Sequence, residues 1–522
     1  MYAPLVIALS VTSLMFCSLA IFFTLFYFHR KRCHRFWKSR GVNGPKPDFF
    51  TGNFLAFKGK TMRQVLVEWT QEYGKVFGYF EGSSPTLVVS EPDTIQEIMI
   101  KKFHCFASRK DFPLIPDTDE FDKTNMFIAR GGRWKRLRTI CNPQFSAARM
   151  KQMKPLMDKC CDTLMTLLLS KCREQRPFDI YKYMKGMTLD TIGETAFGMQ
   201  SGVQTHENDI FLQKCQDFFN ALNFTEGPPL LIASLLLPEA RKMWESINLG
   251  LDVIRDRTDQ CLNPFAERMI AARRQNPNFE RVDLLKLMME VVTDKPLSLR
   301  ELVNPEGKYL TMQELISQMV LLVAAGFETT STTLGFALYL LTVYPDVQTK
   351  LQQEIDQYLK TPEDTPSYDT LMEMPYLKMV IYETLRLYPI ASLVVSRKCT
   401  EACSIGSGID ISEGTNIQLD IWSVHHDPDL WGPPDTDMFC PERFTPERME
   451  TRHPTAWLPF GAGPKNCLGM RFALLEVKLV ICKVFKKFRL IQVPETDHPI
   501  QMREGVTFTP LNGVVVKLEE RC

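Results

Sequence analysis

A mainly α protein with small β-sheets is predicted by three features of this chain. An apolar pattern of helical period runs unbroken from Thr311 to Tyr344, and shorter ones cover Arg149–Lys171, Asp346–Leu359 and Tyr376–Leu387. Between them lie only short β-rich runs. Lys75–Phe80 and Thr86–Ser90 flank the turn Gly82-Ser83-Ser84-Pro85 and read as a hairpin. The composition is globular: 522 residues, 45% hydrophobic and 24% charged. That excludes a disordered, collagen-like or multi-span membrane protein. Sixty-two Lys and Arg nearly cancel 61 Asp and Glu, for a net charge of +1. No global basic excess is present to neutralise phosphates, so nucleic acid is not an expected partner. The 15 cysteines are odd in number and irregularly spaced, and read as reduced and mostly buried.

Taken in chain order, the first 28 residues carry no charge, and the apolar run from Tyr2 to Phe28 is long enough to cross a ~30 Å hydrocarbon core. The basic residues Arg30, Lys31, Arg32, Arg35, Lys38 and Arg40 follow it. A cleaved signal peptide would place positive charge before a shorter apolar run. The expectation is an uncleaved anchor over 1–28, with the rest of the chain on the cytosolic side. The sequon Asn223-Phe224-Thr225 is then out of reach of glycosylation. Residues 29–47, ending in Gly44-Pro45-Lys46-Pro47, read as a basic, stiff linker. Nothing beyond Pro45 marks a boundary, so 48–522 is expected to form one body, although length alone would suggest three domains.

The longest helix opens on Thr311 and Glu314, a capping box in which each side chain satisfies the other residue's backbone N–H. It would extend ~50 Å before Pro345. A second membrane span is the competing reading. The ionisable Glu328 at mid-helix is costly at bilayer depth and favours a buried central helix instead.

Four constellations carry chemistry. Phe460-Gly461-Ala462-Gly463-Pro464-Lys465-Asn466-Cys467-Leu468-Gly469 is a tight loop that puts a cysteine at the mouth of a helix. Free N–H groups there favour a thiolate able to ligate a soft metal. An ordinary buried cysteine remains an open alternative at this point. A dinucleotide loop is spoiled by Pro464 and the missing third glycine. Glu383 and Arg386 share a helix face, and Phe439-Cys440-Pro441-Glu442-Arg443-Phe444 supplies a further arginine. Trp134 and Arg138, four residues apart, present an aromatic and a cation on one face. Zinc finds no support, for there is no His-Glu-x-x-His and no Cys/His quartet at ligand spacing.

With these motifs in order, Trp134…Arg138, Ala325-Gly326-Phe327-Glu328-Thr329-Thr330, Glu383-Thr384-Leu385-Arg386, Pro441-Glu442-Arg443-Phe444 and the Cys467 loop, the chain resembles a cytochrome P-450, a haem-thiolate monooxygenase. The resemblance covers essentially the whole chain. It is strongest to the microsomal clan of drug- and steroid-oxidising enzymes and thromboxane synthase. It implies the cytochrome P-450 fold, with a long central helix over a buried haem b.

By this resemblance Cys467 is the axial thiolate on the iron. Phe460 packs near the sulfur, and Gly461, Gly463 and Gly469 shape the loop. Trp134, Arg138 and Arg397 clamp the haem propionates. Lys465 stands where the family often has Arg or His, and offers a point charge without a bidentate fork. Glu383, Arg386 and Arg443 form a structural ion-pair network. Glu328 and Thr329 deliver protons to the dioxygen site. That pair favours monooxygenation over peroxide isomerisation, which needs no proton delivery; a non-catalytic haem-binding membrane protein is the third reading.

The resemblance further implies residence in the endoplasmic reticulum membrane and electrons from NADPH through NADPH–cytochrome P-450 reductase, with cytochrome b5 a second candidate donor. Arg133, Lys135 and Arg136 would contribute to a basic docking face. The substrate is expected to be a lipophilic small molecule: a xenobiotic, a steroid or a fatty-acid-like compound. Its pocket would draw on Ala324, Phe327, Ile390 and Ala391, with Phe112–Phe127, Phe218–Leu237 and the neighbourhood of Val506. A loop at Gly227-Pro228-Pro229 would dip into the bilayer surface.

Overall fold

The computed structural model describes residues 3–111, 124–199, 202–206, 209–221, 229–251, 262–276, 283–293, 295, 301, 307, 309–361, 364–406 and 408–521. The sequon and much of the expected pocket wall, residues 112–123 and 222–228, lie outside these residues.

Among the described residues the chain is mainly helical, with four small sheets. The N-terminal helix spans Ala3–Cys33, so it continues past the apolar run into the basic cluster. Its apolar side chains from Leu14 to Phe28 are largely exposed. Arg30, by contrast, is fully buried. It donates to the carbonyls of Phe50 (2.9 Å) and Leu236 (2.8 Å) and pairs with Glu239 at 2.8 Å. The segment read as a linker is docked on the body. The indole Nε1–H of Trp37 donates to Tyr79 O at 3.1 Å. Gly44 lies so close to the first strand that a Cβ there would fall 1.9 Å from Gly78 O.

That strand, Val76–Glu81, pairs antiparallel with Ser84–Val89 and completes the hairpin expected from the turn. Asn416–Leu419 adds in parallel, and Ser396–Lys398 closes the sheet antiparallel. A second apolar core lies beneath, with Leu87, Ile417, Cys105 and Cys399 among its members.

The predicted helices are present as Ala147–Glu174, Met312–Val343, Pro345–Tyr358 and Pro375–Leu387. Met312–Val343 and the N-terminal helix are both long and apolar enough to cross a membrane, but Met312–Val343 is mostly buried. It packs along Ile180–Ile192 and against Met470–Lys487 inside the main core. It is therefore the central helix of the body and not a second span.

Its capping box forms as expected: Glu314 N–H donates to Thr311 Oγ1 at 3.1 Å and Thr311 N–H to Glu314 Oε2 at 3.2 Å. The Glu314 carboxylate has a second task. It pairs with Arg133 at 2.9 Å and with Arg136 at 2.7 Å, all three side chains being buried. This corrects the expected docking face. Spacing identified three basic residues around Trp134, but two are consumed in an internal network and only Lys135 is exposed.

Candidate functional site

The Cys467 loop owes its shape to two glycines. Gly461 and Gly463 both have φ of +67°, and a Cβ on Gly463 would lie 2.0 Å from Met99 O. Gly469 differs, since its φ of −82° is ordinary and a Cβ there would meet nothing closer than Phe145 at 4.0 Å. Backbone fixes the cysteine, whose N–H donates to Phe460 O at 2.8 Å. The Phe460 ring packs edge-on to Trp457 at 6.1 Å. The backbone N–H groups of Gly469 and Met470, at the mouth of the helix Met470–Lys487, act on the thiol. Cys467 is exposed at the loop surface, and the protein packed around its sulfur pushes the thiol's pKa up, opposed by those N–H groups and by Arg138 and Arg109.

A set of enclosed cations surrounds this loop. Arg138 donates to Asn466 O (2.9 Å) and Oδ1 (2.8 Å), which ties its helix to the cysteine loop. Lys465 is buried with Nζ over the Trp134 ring at 4.7 Å and donates to Ala129 O at 3.3 Å. Burial, reinforced by Arg109, Arg397, Arg130 and Arg138, lowers its pKa to about 6. Arg397 is 1% exposed, donates to Ser396 O at 2.8 Å, and leaves Nε without a partner. Burial and then Arg109 lower it to about 9.

Arg109, which the sequence reading missed, belongs to the same set. It donates to Val394 O at 3.0 Å, stacks over Phe127 at 4.1 Å, and has an orphaned Nε. It sits in a segment with no helical or strand periodicity, so no local signal marked it. Among the described residues none of Arg109, Arg138, Arg397 and Lys465 has a carboxylate partner. Buried cations need anions. The two propionates of a haem beside Cys467 are anions of the right kind, so the donor set fits that group.

Glu383, Arg386 and Arg443 come together with no exposure at all. Glu383 accepts from Arg386 Nε (2.7 Å) and Nη2 (2.8 Å), Arg443 Nε (3.1 Å) and the Cys440 N–H (3.1 Å). The arginines also donate to the carbonyls of His425, Thr436 and Asp435 at 2.5–2.8 Å. His425 is locked alongside: Leu458 N–H donates to Nε2 at 2.8 Å, which leaves Nδ1–H for Arg386 O at 3.2 Å. The adjacent His425 and His426 close a short helix and do not lie on a strand.

On the central helix, Thr329 donates to Ala325 O at 2.6 Å, the local back-bond open to a mid-helix threonine. Gly326 lets the neighbouring helix approach, since a Cβ would lie 3.0 Å from Ile192 Cδ1. Glu328 is largely enclosed, and its Oε2 has no partner. Burial raises its pKa to about 7, against smaller opposing effects of Lys185, Thr507 and Arg503.

Of the expected pocket residues, Ala324 and Ala391 are half-buried. Ile390 is buried, and its carbonyl accepts from Phe508 N–H at 2.8 Å. Phe327 is 1% exposed and belongs to the main core. It lies ~160° around the helix from Thr329, at ~100° per residue. Phe327 as a wall of the pocket therefore stays a proposal, with its ring packed in the main core.

A raised carboxyl has a defined consequence for stability. Between pH 4.5, the ordinary glutamate value, and about 7, folded protein retains a proton on Glu328 that the unfolded chain has released. The destabilisation therefore appears as pH rises through that window and is complete above it. Glu328→Gln is expected to match wild type near pH 4.5 and to be more stable by ~1–3 kcal/mol at pH 8. Denaturant titrations at both pH values measure this, and a difference independent of pH would remove the shift.

The cytochrome P450 family model matches residues 42–516. Cytochrome P450 3A11 of Mus musculus is 34% identical over 504 residues, covering 96% of each chain. Cytochrome P450 3A13 of Mus musculus is 33% identical over 508 residues, and cytochrome P450 3A6 of Oryctolagus cuniculus 32% over 504, again at 96% of each chain. The chain belongs to the cytochrome P450 family. This cytochrome P450 is accordingly a haem-containing monooxygenase with a cysteine thiolate as the axial ligand, and its N-terminal apolar helix is consistent with membrane anchoring. Family membership also implies a redox partner and lipophilic substrates.

Proposed function

We propose that this P450 is an endoplasmic-reticulum monooxygenase in which Cys467 holds the haem iron. It inserts one oxygen atom of O2 into a lipophilic xenobiotic, steroid or fatty-acid-like molecule, with NADPH electrons delivered by NADPH–cytochrome P-450 reductase. The observation that carries the site assignment is the set of basic side chains around the Cys467 loop, Arg397 and Lys465 buried and Arg109 and Arg138 half-buried, none with a carboxylate partner among the described residues. The haem supplies dioxygen activation when bound. Trp134, Arg138, Arg397, Lys465 and Arg109 would hold its propionates. Phe460 and Gly469 would flank the thiolate.

The chain's own task is then to supply protons and exclude water. Glu328, with a pKa of about 7, is half-protonated at neutral pH and can both release and regain a proton. The Thr329 hydroxyl on the next residue can leave its Ala325 bond to donate toward substrate-side oxygen. Val323 and Phe327, neighbours on the same helix, belong to the main core and would limit the water that reaches both. Ala324, Ile390 and Ala391 would border the substrate. Glu383, Arg386 and Arg443 hold the fold and touch no reacting atom.

Membrane association is supported by the Arg30 anchor point. It joins the exposed N-terminal helix to Leu236 and Glu239, at the end of the apolar helix Pro229–Leu236. Anchor and apolar helix thus lie together, as a lipophilic entry surface requires. The reductase would dock where Lys135 is exposed, and cytochrome b5 is a second candidate donor.

The test is reconstitution with reductase and NADPH over a panel of lipophilic substrates. Thr329→Ala should oxidise NADPH at a comparable rate while product per NADPH falls by roughly tenfold, the electrons going to peroxide. Unchanged product per NADPH in the variant would remove Thr329 from proton delivery. Turnover of peroxides without NADPH would favour an isomerase.

A further inference from the structure

Far from the Cys467 loop in sequence, two segments bring a different donor set together. The turn Phe103–Phe106 carries His104 and Cys105, and the stretch between the strands Ser396–Lys398 and Cys403–Ile405 carries Cys399 and Glu401. Thr400 ties the two, its N–H donating to Cys105 O at 2.8 Å and its hydroxyl to the same oxygen at 3.1 Å. One ring nitrogen of His104, the Cys105 sulfur and a Glu401 carboxylate oxygen lie within 4.8 Å of one another. The Cys403 thiol lies near that of Cys105 and interacts with it electrostatically.

We propose that His104, Cys105, Glu401 and Cys403 form a structural binding site for a zinc-class divalent cation. The chemistry is suitable: two sulfurs, one imidazole and one carboxylate are the ligand types of closed tetrahedral zinc sites. Bond lengths of ~2.0–2.3 Å put the ligand atoms of such a site about 3.3–3.8 Å apart. The present spread of His104, Cys105 and Glu401 needs only a small closure, which the exposed side chains of His104 and Glu401 can make, and Cys403, outside that group, would turn in as the fourth ligand.

Cys105 is buried and forms a fixed floor, Cys403 nearby is half-buried, and the two exposed residues form the entrance. Cys399 is buried behind them and donates to Glu401 O at 3.0 Å, which fixes the backbone of that ligand. Binding converts both thiols to thiolates and releases their two protons to solvent. Two thiolates and a carboxylate leave one excess negative charge on the site. The Lys102 ammonium, close enough to interact with both sulfurs, lies where it offsets that charge.

The ion would clamp the two segments together. Phe103 adjoins the site and packs on Trp134 with ring centres 5.6 Å apart, so the clamp would also steady one wall of the cation set.

The test uses full-length, haem-loaded protein incubated with Zn2+ and dialysed free of excess. About one zinc per haem should remain, with an X-ray absorption edge showing two sulfur neighbours at ~2.3 Å and two lighter ones at ~2.0 Å. His104→Ala and Cys403→Ser should each weaken zinc binding at least about tenfold. Both should keep the carbon monoxide spectrum of the wild-type haem, which separates loss of the metal from loss of the fold. Retention of less than about a tenth of an equivalent by wild type, against the unit stoichiometry of a closed site, overturns the proposal. So does equal affinity in the variants, or a disulfide joining Cys105 and Cys403 in protein prepared under reducing conditions.

Discussion

Cys467→His is expected to abolish the red-shifted Soret band that reduced, carbon monoxide-bound thiolate haem gives, and with it essentially all monooxygenation. Imidazole cannot supply the electron density that a thiolate pushes onto the iron to favour O–O cleavage. The loop is built around sulfur. Gly463 admits Met99 O at a distance no Cβ allows, and the N–H groups of Gly469 and Met470 act on the thiol at a helix mouth. The buried cations are untouched by this substitution, so the variant should still retain haem. Retained haem with an altered axial ligand separates loss of chemistry from loss of cofactor. A histidine-type spectrum in the unmutated protein would overturn the assignment of Cys467.

Glu383→Gln is expected to be the most destabilising single change away from that loop. It leaves two buried guanidiniums facing each other without their shared carboxylate, and removing one partner of such a network costs ~3–5 kcal/mol. Most of the loss should appear as a lower yield of spectrally intact protein and an earlier denaturant midpoint. Arg386→Lys should do less damage, because it keeps the charge but gives up the bidentate pair at 2.7 and 2.8 Å. A Glu383→Gln protein within about 0.5 kcal/mol of wild type would show the network to be dispensable, since changes that small are typical of surface sites.

The helices and the hairpin were legible because each rests on a local pattern. Thr311 and Glu314 announce a helix start wherever they fall, and Pro345 announces its end. The motif residues Glu383, Arg386 and Arg443 were equally readable, and packing brings them into one buried group. Partner choice was not readable. Arg133 and Arg136 looked like surface charge, because nothing local shows that Glu314, nearly 180 positions later, reaches back to both. Arg30 looked like one more interfacial cation until Glu239 was found beside it.

What the amino-acid sequence determined by itself is the mainly α architecture, the apolar N-terminal helix, the Cys467 loop and the acid–alcohol pair. All depend on short-range chemistry: periodicity, capping, backbone freedom and charge. Only the tertiary structure decided which charges are paired and which are left without a counter-ion. It placed Arg109 near Arg397 and Lys465, and it brought His104 and Cys105 to Glu401 across about 300 residues of chain. Such contacts follow from the packing of distant segments around a shared core, and burial is what turns each of them into a strong interaction.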